Sequence, residues 1–224
     1  MKTKQCVVIG LGRFGLSVAE TLSKLGNEVL AIDISEEPAR YVKDSVAHSM
    51  QADITDEEVI NTLGLNDFDI GVVAIGENLE SSSLAILALK KSGVKHIIAK
   101  AKDERYGKIL LTLGADKVIY PERDMGCRVA HNIHSSNIID FFEFSKEYSI
   151  VEIAAPKFTY GKTIEELKVR EKHNLNIIAI KTNDTINADV KRNTILKEND
   201  ILILVGKDKD ILKLISDHIK SAYE

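Results

Sequence analysis

Cysteine is scarce in this sequence of 224 residues, with Cys6 and Cys127 as the only two. Neither thiol has a C-x-x-C partner, which argues against a redox role and is typical of small buried side chains in a reducing compartment. Long apolar runs are also missing, since none reaches the roughly 18 residues that a membrane helix requires. The first five residues lead directly into an apolar segment without a signal peptide. We therefore expect a cytoplasmic protein.

A large excess of one charge is absent as well. The formal net charge is −4, which implies no general attraction to nucleic acid, and no nucleic-acid partner is expected. Hydrophobic residues make up 44% of the chain and charged residues 29%, as is ordinary for a globular protein. The length fits one large domain, or a domain of about 140 residues followed by a small one.

Glycine, in contrast, is concentrated near the start of the chain. The apolar residues 7–9 are followed by Gly10, Gly12 and Gly15 with the spacing G-x-G-x-x-G, and residues 16–22 have helical character. In such a strand, turn and helix the first glycine allows the tight turn, the second lets phosphate approach the backbone, and the third lets the helix pack on the strand. The N–H groups at the start of the helix then face an anion. The pattern predicts a nucleotide-binding turn.

Two aspartates follow apolar strands further along the chain. Asp33 ends the second strand about 18 residues beyond the last of these glycines, where dinucleotide-binding folds place the acid that binds ribose hydroxyls. Asp53 follows the third strand and has two open interpretations, an acceptor for an adenine amino group or a residue of the turn that leads into a helix. Their neighbours Ile34 and Ile54 complete this part of the predicted cofactor site.

Apolar strands and helical segments alternate over the first half of the chain. The strands begin near Val7, Val29, Val46, Ile70, His96 and Lys117. This alternation predicts an α/β fold with a Rossmann-type, doubly wound parallel sheet. Ser35 is expected to cap the second helix, and Thr55 with Glu58 has the spacing of a capping box.

The ends of the fourth and fifth strands add further candidates. Ile75 and Gly76 lie at the end of the fourth strand, on the edge of the sheet where ligands bind in open α/β folds. Lys100 ends the fifth strand, and contact with a phosphate or simple strand termination are both open interpretations.

The chain then leaves the Rossmann pattern. Residues 122–144 are predicted to form two short helices, the first with Met125, Val129 and Ile133 and the second with residues 138–142. Such an apolar arm buries its face either on its own second domain or on a second copy of the protein, and we favour the second copy.

A small α+β lobe is expected after this arm. Residues 151–154, 176–180 and 201–206 read as strands, and Thr163 with Glu166 has capping-box spacing at the start of a helix. The predicted organisation is a nucleotide-binding N-lobe over 1–121, a helical crossover and dimerisation arm over 122–144, and a C-terminal lobe over 145–224.

Taken together, these segments resemble the regulatory subunits of Ktr and Trk potassium transporters, which are built from RCK (regulator of potassium conductance) domains, and above all the Ktr type of Gram-positive bacteria. The resemblance covers essentially the whole chain. It rests on the segments 7–15, 31–33, 51–53, 100–101 and 120–126, together with the order of N-lobe, crossover and C-terminal lobe.

This resemblance implies a cytoplasmic gating subunit, peripheral to the membrane, rather than an enzyme. In the family the N-lobe binds ATP or ADP, and sometimes NAD or NADH, as a regulatory ligand. Dimers assemble into an octameric ring on a separate membrane potassium channel subunit, and ATP favours an open ring whereas ADP favours a closed one. Arg13 and Phe14 lie inside the phosphate turn, and Arg13 is a plausible partner for a γ-phosphate that ADP lacks.

Two further ligands are implied by the resemblance. A glutamate that matches Glu122 helps to hold a cation beside the triphosphates in similar proteins, and a carboxylate suits Ca²⁺, Mg²⁺ or Na⁺; the alternative role for Glu122 is an acid at a helix N-terminus. Ktr subunits of Firmicutes also bind cyclic di-AMP in the C-terminal lobe. The residues that match that site are Ile164, Leu167, Arg170, Asn176 and Ile177.

Two other functions remain open from the sequence. The glycine turn and Asp33 also suit an NAD-dependent oxidoreductase or a non-catalytic NAD(H) sensor, but only roughly 80 residues follow the Rossmann lobe and no recognisable acid/base pair lies among them. The histidines at 131, 134, 173 and 218 are scattered. A structural protein with a relic nucleotide turn is the third interpretation.

Overall fold

The computed structural model describes residues 2–134, 138–145, 147–183 and 185–221, with only the backbone of residues 57, 61, 134 and 216–221. The chain divides into two compact units, Met1–Arg123 and Asp124–Glu224. None of the helices in the described ranges combines the length and apolar character needed to cross a bilayer.

Strands and helices alternate in the first unit. Its described residues form the strands β1 (Gln5–Ile9), β2 (Glu28–Asp33), β3 (His48–Gln51), β4 (Ile70–Val73), β5 (His96–Lys100) and β6 (Lys117–Ile119). The helices are α1 (Arg13–Lys24), α2 (Glu36–Val42), α3 (Glu57–Thr62), α4 (Leu79–Lys91) and α5 (Glu104–Leu113), and α6 (Pro121–His134) follows β6.

Apolar alternation along β1 shows why this sheet is covered on both faces. Val7 and Ile9 belong to one core cluster, whereas Cys6 and Val8 belong to another, and all four side chains are buried. Successive side chains of a strand point to opposite faces of the sheet, so β1 supplies both cores. This is the burial expected of a parallel strand between two layers of helices.

The strands of the first unit are parallel and follow the order β3-β2-β1-β4-β5-β6. The chain order reverses between β1 and β4, and in doubly wound sheets ligands bind outside the carboxyl ends of the strands at that point. The prediction of a doubly wound parallel sheet is confirmed.

The second unit contains an antiparallel sheet with the order β10-β9-β11-β8-β7. Its strands are β7 (Ile138–Ser145), β8 (Tyr148–Ala154), β9 (Asn176–Thr182), β10 (Thr185–Asn187) and β11 (Asp200–Lys207), and its helices are α7 (Ile164–Leu167), α8 (Val169–His173) and α9 (Asp208–Ser221). The expected small α+β lobe is confirmed.

One predicted element in the crossover is wrong. Residues 138–144 belong to strand β7, not to a second short helix, and residues 135–137 lie outside the described residues. Ile138 and Phe141 are both buried because the pairing of β7 with β8 shifts register between Ile138 and Asp140. A bulge of this kind gives two buried residues a spacing of three, which imitates a helix in the sequence.

A cluster of side chains attaches the end of α6 to β7. The Arg128 guanidinium makes a two-pronged ion pair with the carboxylate of Asp140, in which Nε lies 2.8 Å from Oδ1. The Cζ atom of Arg128 also lies 4.0 Å from the ring centre of Phe142. The ring of His131 stacks on that of Phe141 with 3.9 Å between centres. Residues 124–134 are therefore fixed to the edge strand of the second unit.

The three helix caps proposed from the sequence have different outcomes. Thr163 and Glu166 form the predicted capping box. Ser35 occupies the N-cap position of α2 without a side-chain cap bond. The box at Thr55 is wrong, because the N-cap of α3 is Asp56, whose side chain accepts a hydrogen bond from the N–H of Glu58.

Candidate functional site

A cleft of about 420 Å³ opens at the carboxyl edge of the parallel sheet, where β1 and β4 diverge, and is called the carboxyl-edge cleft below. Its lining includes eight of the predicted cofactor residues: Gly10, Gly12, Asp33, Ile34, Asp53, Ile54, Ile75 and Gly76. The other lining residues are Ile9, Ile32, Ala52, Thr55, Ala74, Glu77, Asn78 and Ser81. The structure thus gathers residues from four βα connections into one concave surface.

The glycine turn forms the floor of this cleft. Gly10 has a φ of 90°, a left-handed conformation that favours glycine. A Cβ atom on Gly15 would lie 1.8 Å from the carbonyl oxygen of Gly10, so α1 packs directly on the turn. Gly12 is the N-cap of α1 and has open space where a Cβ would stand. The backbone of residue 12 is therefore accessible at the positive end of the helix dipole.

Asp33 connects the second strand to this turn. Its Oδ2 atom accepts a hydrogen bond of 2.6 Å from the N–H of Leu11, and its Oδ1 atom accepts one of 2.8 Å from the N–H of Ser35. The carboxylate thus fixes the glycine turn relative to the end of β2. It also lines the cleft at the position where a ribose is expected.

Asp53 lines the cleft beside Thr55. Its Oδ1 atom accepts hydrogen bonds from the hydroxyl of Thr55 at 2.7 Å and from the N–H of Thr55 at 2.9 Å. Both bonds hold the pKa of Asp53 below its ordinary value, and the bond from the Thr55 hydroxyl has the larger effect. This is the geometry of the turn residue proposed as one of its two roles, and the adenine contact stays a prediction.

The start of α4 supplies polar groups that the sequence analysis left out of the predicted site. The Asn78 side chain caps α4 by accepting a hydrogen bond from the N–H of Ser81, and both residues line the cleft. The buried hydroxyl of Ser82 lies 2.8 Å from the carbonyl oxygen of Ile75. The signal in the sequence was the position of Gly76, Glu77 and Asn78 in the connection that follows β4.

Lys100 and Glu122 meet beside the cleft. The Lys100 ammonium, on a side chain that is 15% exposed, lies 2.6 Å from Oε1 of Glu122. This hydrogen bond is the main reason why the pKa of Glu122 is below its ordinary value. The ammonium also lies 3.0 Å from the place of a Cβ on Gly76. Lys100 therefore runs over the rim of the cleft.

Arg13 and Phe14 lie outside the cleft lining. Arg13 is the first residue of α1 and is exposed, whereas Phe14 is half-buried against the core between α1 and the sheet. The charged residues among those lining the cleft are Asp33, Asp53 and Glu77, with no lysine or arginine among the described lining residues. The positive groups that the cleft offers to an anion are therefore the backbone N–H groups of the turn and the side chains at its rim.

The described residues hold no cluster of three or more histidine, cysteine, aspartate or glutamate side chains suited to a metal ion. Glu122 contributes one carboxylate at the rim. Of the scattered histidines, His131 packs on Phe141 and His173 lines a small cleft of the second unit. The side chains of His134 and His218 lie outside the described residues.

A second cleft, of about 330 Å³, lies in the second unit and is called the C-terminal cleft below. Four of the five residues matched to the cyclic di-AMP site line it: Ile164, Arg170, Asn176 and Ile177. Leu167 instead lies in the core of that unit, with 7% of its surface exposed. Glu165, Glu171 and Arg192 add charged groups to the lining.

Both units of the chain match known protein domains. Residues 6–121 match the TrkA-N domain and residues 150–217 match the TrkA-C domain. The chain is 43% identical to Ktr system potassium uptake protein C of Bacillus subtilis (strain 168) over 93% of its own length and 94% of that protein. It is 39% identical to Ktr system potassium uptake protein A of the same organism, with 94% and 95% covered.

Solved structures share the fold. The structure described as the GsuK RCK domain superposes with a TM-score of 0.66 and 18% identity, covering 96% of this chain and 47% of that one. The structure of the GsuK channel bound to NAD gives a TM-score of 0.64 over 94% of this chain and 38% of the other. With matches to both domains and to whole Ktr proteins, the chain belongs to the TrkA family of potassium uptake proteins, as an RCK subunit of the Ktr type.

Proposed function

We propose that this chain is the regulatory, gating subunit of a potassium uptake system, whose first unit senses ATP and ADP. The observation that carries the proposal is the carboxyl-edge cleft, which combines the glycine turn, Asp33 and an apolar wall in a chain related along its length to Ktr proteins. The role is regulatory rather than enzymatic, as in the RCK family.

The cleft suits an adenine nucleotide in a definite orientation. Asp33, at the end of β2, accepts hydrogen bonds from the ribose hydroxyls. Ile34, Ile54 and Ile75 offer apolar contacts for the base. The phosphates then point to Gly12 and the first N–H groups of α1, where the backbone donors and the helix dipole favour an anion.

The acidic lining determines where the terminal phosphates lie. Because Asp33, Asp53 and Glu77 carry the charges of the lining, a triphosphate is repelled from the interior and its γ-phosphate extends towards the rim. Arg13, exposed at the start of α1, binds that group from this subunit or a neighbouring one. A cation, Ca²⁺, Mg²⁺ or Na⁺, binds at Glu122 in competition with the Lys100 ammonium.

NAD or NADH is the alternative ligand of the same cleft. The relevant observation is Asp33, since an acid at the end of β2 is suited to the free 2′-hydroxyl of NAD. The GsuK channel, which shares the fold, is described in complex with NAD. Competition between NADH and ATP in calorimetry tests whether both bind to this one cleft, and the separately measured affinities for NADH and ADP rank the two ligands.

We also propose that the C-terminal cleft binds cyclic di-AMP. Ile164 and Ile177 contact the adenine faces, Arg170 binds phosphate and Asn176 makes a polar contact. The common lining formed by these four residues supports this assignment. Leu167 is buried in the core of the unit and is not among the residues that line this cleft.

The assembly follows from the same function. The subunit lies on the cytoplasmic face of the membrane, bound to a separate potassium channel subunit, and forms dimers and an octameric ring. The exposed apolar residues of α6, namely Met125, Val129 and Ile133, support self-association through this helix.

The decisive experiment measures binding and gating together. Calorimetry with ATP, ADP, NADH and cyclic di-AMP, on protein whose oligomeric mass is recorded, is combined with potassium flux through the reconstituted membrane subunit. We expect ATP and ADP to bind without turnover and to change the flux. Binding of nucleotide with an unchanged flux would rule out the gating role, and sustained hydride transfer to a small carbonyl compound would favour an oxidoreductase.

A further inference from the structure

The opposite edge of the parallel sheet carries a second concave surface of the first unit. This cleft, of about 220 Å³, lies at the amino ends of β1, β4 and β5 and is called the amino-edge cleft. Its lining contains Lys2, Lys4, Lys95 and His96, with Asp69 as the acidic member. Because the strands are parallel, this cleft is on the edge of the sheet remote from the carboxyl-edge cleft.

The charge of the amino-edge cleft is opposite to that of the carboxyl-edge cleft. Three ammonium groups face one carboxylate here, whereas the carboxyl-edge cleft has three carboxylates and no lysine or arginine among its described lining residues. A concave surface lined by charges of one sign concentrates the field and attracts counter-ions. The amino-edge cleft is therefore suited to an anion.

The single carboxylate of this cleft is already engaged. Asp69 accepts a hydrogen bond of 2.6 Å from the ammonium of Lys95 and one of 3.2 Å from the N–H of Gln5. Within the part of the chain that the structure describes, Lys2 and Lys4 form no side-chain ion pair. The hydrogen bond from Lys95 and, to a smaller extent, the charge of Lys2 lower the pKa of Asp69, but the ammonium donors of Lys2 and Lys4 are left to bind a ligand.

Helix electrostatics do not explain these lysines. Lysine is common in the last turn of a helix because it offsets the dipole, but Lys2 and Lys4 lie just ahead of β1 and belong to none of the helices of the described residues. Lys95 lies beyond the end of α4 at Lys91, in the connection to β5. The cluster therefore calls for an explanation other than helix capping.

We propose that the amino-edge cleft binds a phosphate-bearing anion through the ammonium groups of Lys2, Lys4 and Lys95, with His96 beside them. A tetrahedral phosphate accepts hydrogen bonds in several directions, so it can contact three ammonium donors at once. The phosphate comes either from a free anion or from the headgroup of an anionic lipid. The lysines are exposed, so salt screens the interaction and binding weakens as ionic strength rises.

The first arm of the test uses inorganic phosphate on the full chain, with sodium chloride at the same ionic strength as the reference. We expect saturable NMR shifts of the backbone amides of Lys4, Gln5 and His96. The double variant K2Q/K4Q is compared with K108Q/K157Q, which removes the same charge from exposed positions elsewhere. The first is expected to weaken phosphate binding by about fivefold per lysine, and the second to leave it unchanged.

The second arm measures flotation with phosphatidylcholine vesicles, with and without phosphatidylserine. Lysine-dependent binding to the anionic vesicles alone identifies a lipid headgroup as the source, and lysine-dependent shifts with inorganic phosphate alone identify a free anion. The proposal is overturned if K2Q/K4Q behaves like K108Q/K157Q in both arms. It is also overturned if phosphate shifts only the amides of Gly12 and Arg13 and vesicles do not bind.

Discussion

The carboxylate of Asp33 lies 2.6 Å from the backbone N–H of Leu11 and accepts its hydrogen bond. The acid proposed to bind ribose is therefore also the group that holds the phosphate turn in place. Leu11 is buried and Asp33 is half-buried at the wall of the cleft, so the bond is partly shielded from water. The proposed recognition of the ribose and the order of the glycine turn therefore depend on the same side chain.

Replacement of Asp33 by asparagine should weaken every adenine nucleotide. The substitution removes the charge from the hydrogen bonds to ribose and to Leu11, and charge-assisted bonds are each worth about 1.5–3 kcal/mol. We expect affinities for ATP, ADP and NADH to fall by roughly 10- to 100-fold in calorimetry. Asp44→Asn, an exposed position after α2, is the control. Unchanged affinities would mean that Asp33 has only a structural role.

Substitution of two glycines of the turn should affect the stability of the fold and the affinity for nucleotide differently. Gly15→Ala places a Cβ 1.8 Å from the carbonyl oxygen of Gly10, and overpacking of this kind costs about 1–3 kcal/mol. A Cβ on Gly12 meets no other side chain or backbone atom within 4 Å, and residue 12 has a φ of −65°, so the cost of Gly12→Ala at the N-cap stays below about 1 kcal/mol.

In thermal unfolding we expect G15A to lower the Tm by several degrees and G12A to change it little. In calorimetry G12A should lose nucleotide affinity, because its methyl group occupies the approach to the phosphates. Full nucleotide binding by G12A would contradict the position assigned to the phosphates.

Arg13→Ala should weaken ATP more than ADP. The guanidinium is exposed at the start of α1, and a bidentate contact with a γ-phosphate is lost when the nucleotide has none. We expect a loss of about tenfold or more for ATP in calorimetry and a smaller one for ADP. Arg40→Ala, at an exposed position of α2, is the matched control. Equal losses for ATP and ADP would show that Arg13 contacts only their common phosphates.

The ion pair between Arg128 and Asp140 should make the second unit sensitive to acid. The guanidinium lowers the pKa of Asp140 from its ordinary value of 3.8 to about 2. Since the folded-state pKa lies below the unfolded one, the pair stabilises the fold above about pH 4, and this contribution is lost as the pH falls towards about 2.

Urea unfolding of wild type and Asp140→Asn tests this pH dependence. The difference in free energy of unfolding should be largest near neutral pH and should vanish near pH 2. Asp189→Asn, which removes an exposed ion pair with Lys191, should produce little change at any pH. A difference that is the same at neutral pH and at about pH 2 would show that the pair does not cause the effect.

Local patterns were sufficient for much of the fold. The glycine spacing located the turn, the apolar runs located the parallel strands, and Thr163 with Glu166 located a helix start. These signals depend on neighbours a few residues apart, where backbone sterics and local hydrogen bonds decide the outcome. The helix predicted at residues 138–144 was wrong for a non-local reason, since β7 is a strand because β8 pairs with it.

The residue pattern along the chain was enough to predict which chemical groups follow which strands: a glycine turn after β1, an acid at the end of β2, an acid after β3 and a lysine at the end of β5. The folded chain was needed to show that Asp33 bonds to Leu11, that Lys100 bonds to Glu122, and that three lysines meet at the amino edge. The partners in these contacts come from separate elements, so their proximity depends on which strands are neighbours. That arrangement is fixed by burial of apolar surface on both faces of the sheet, which no local pattern specifies.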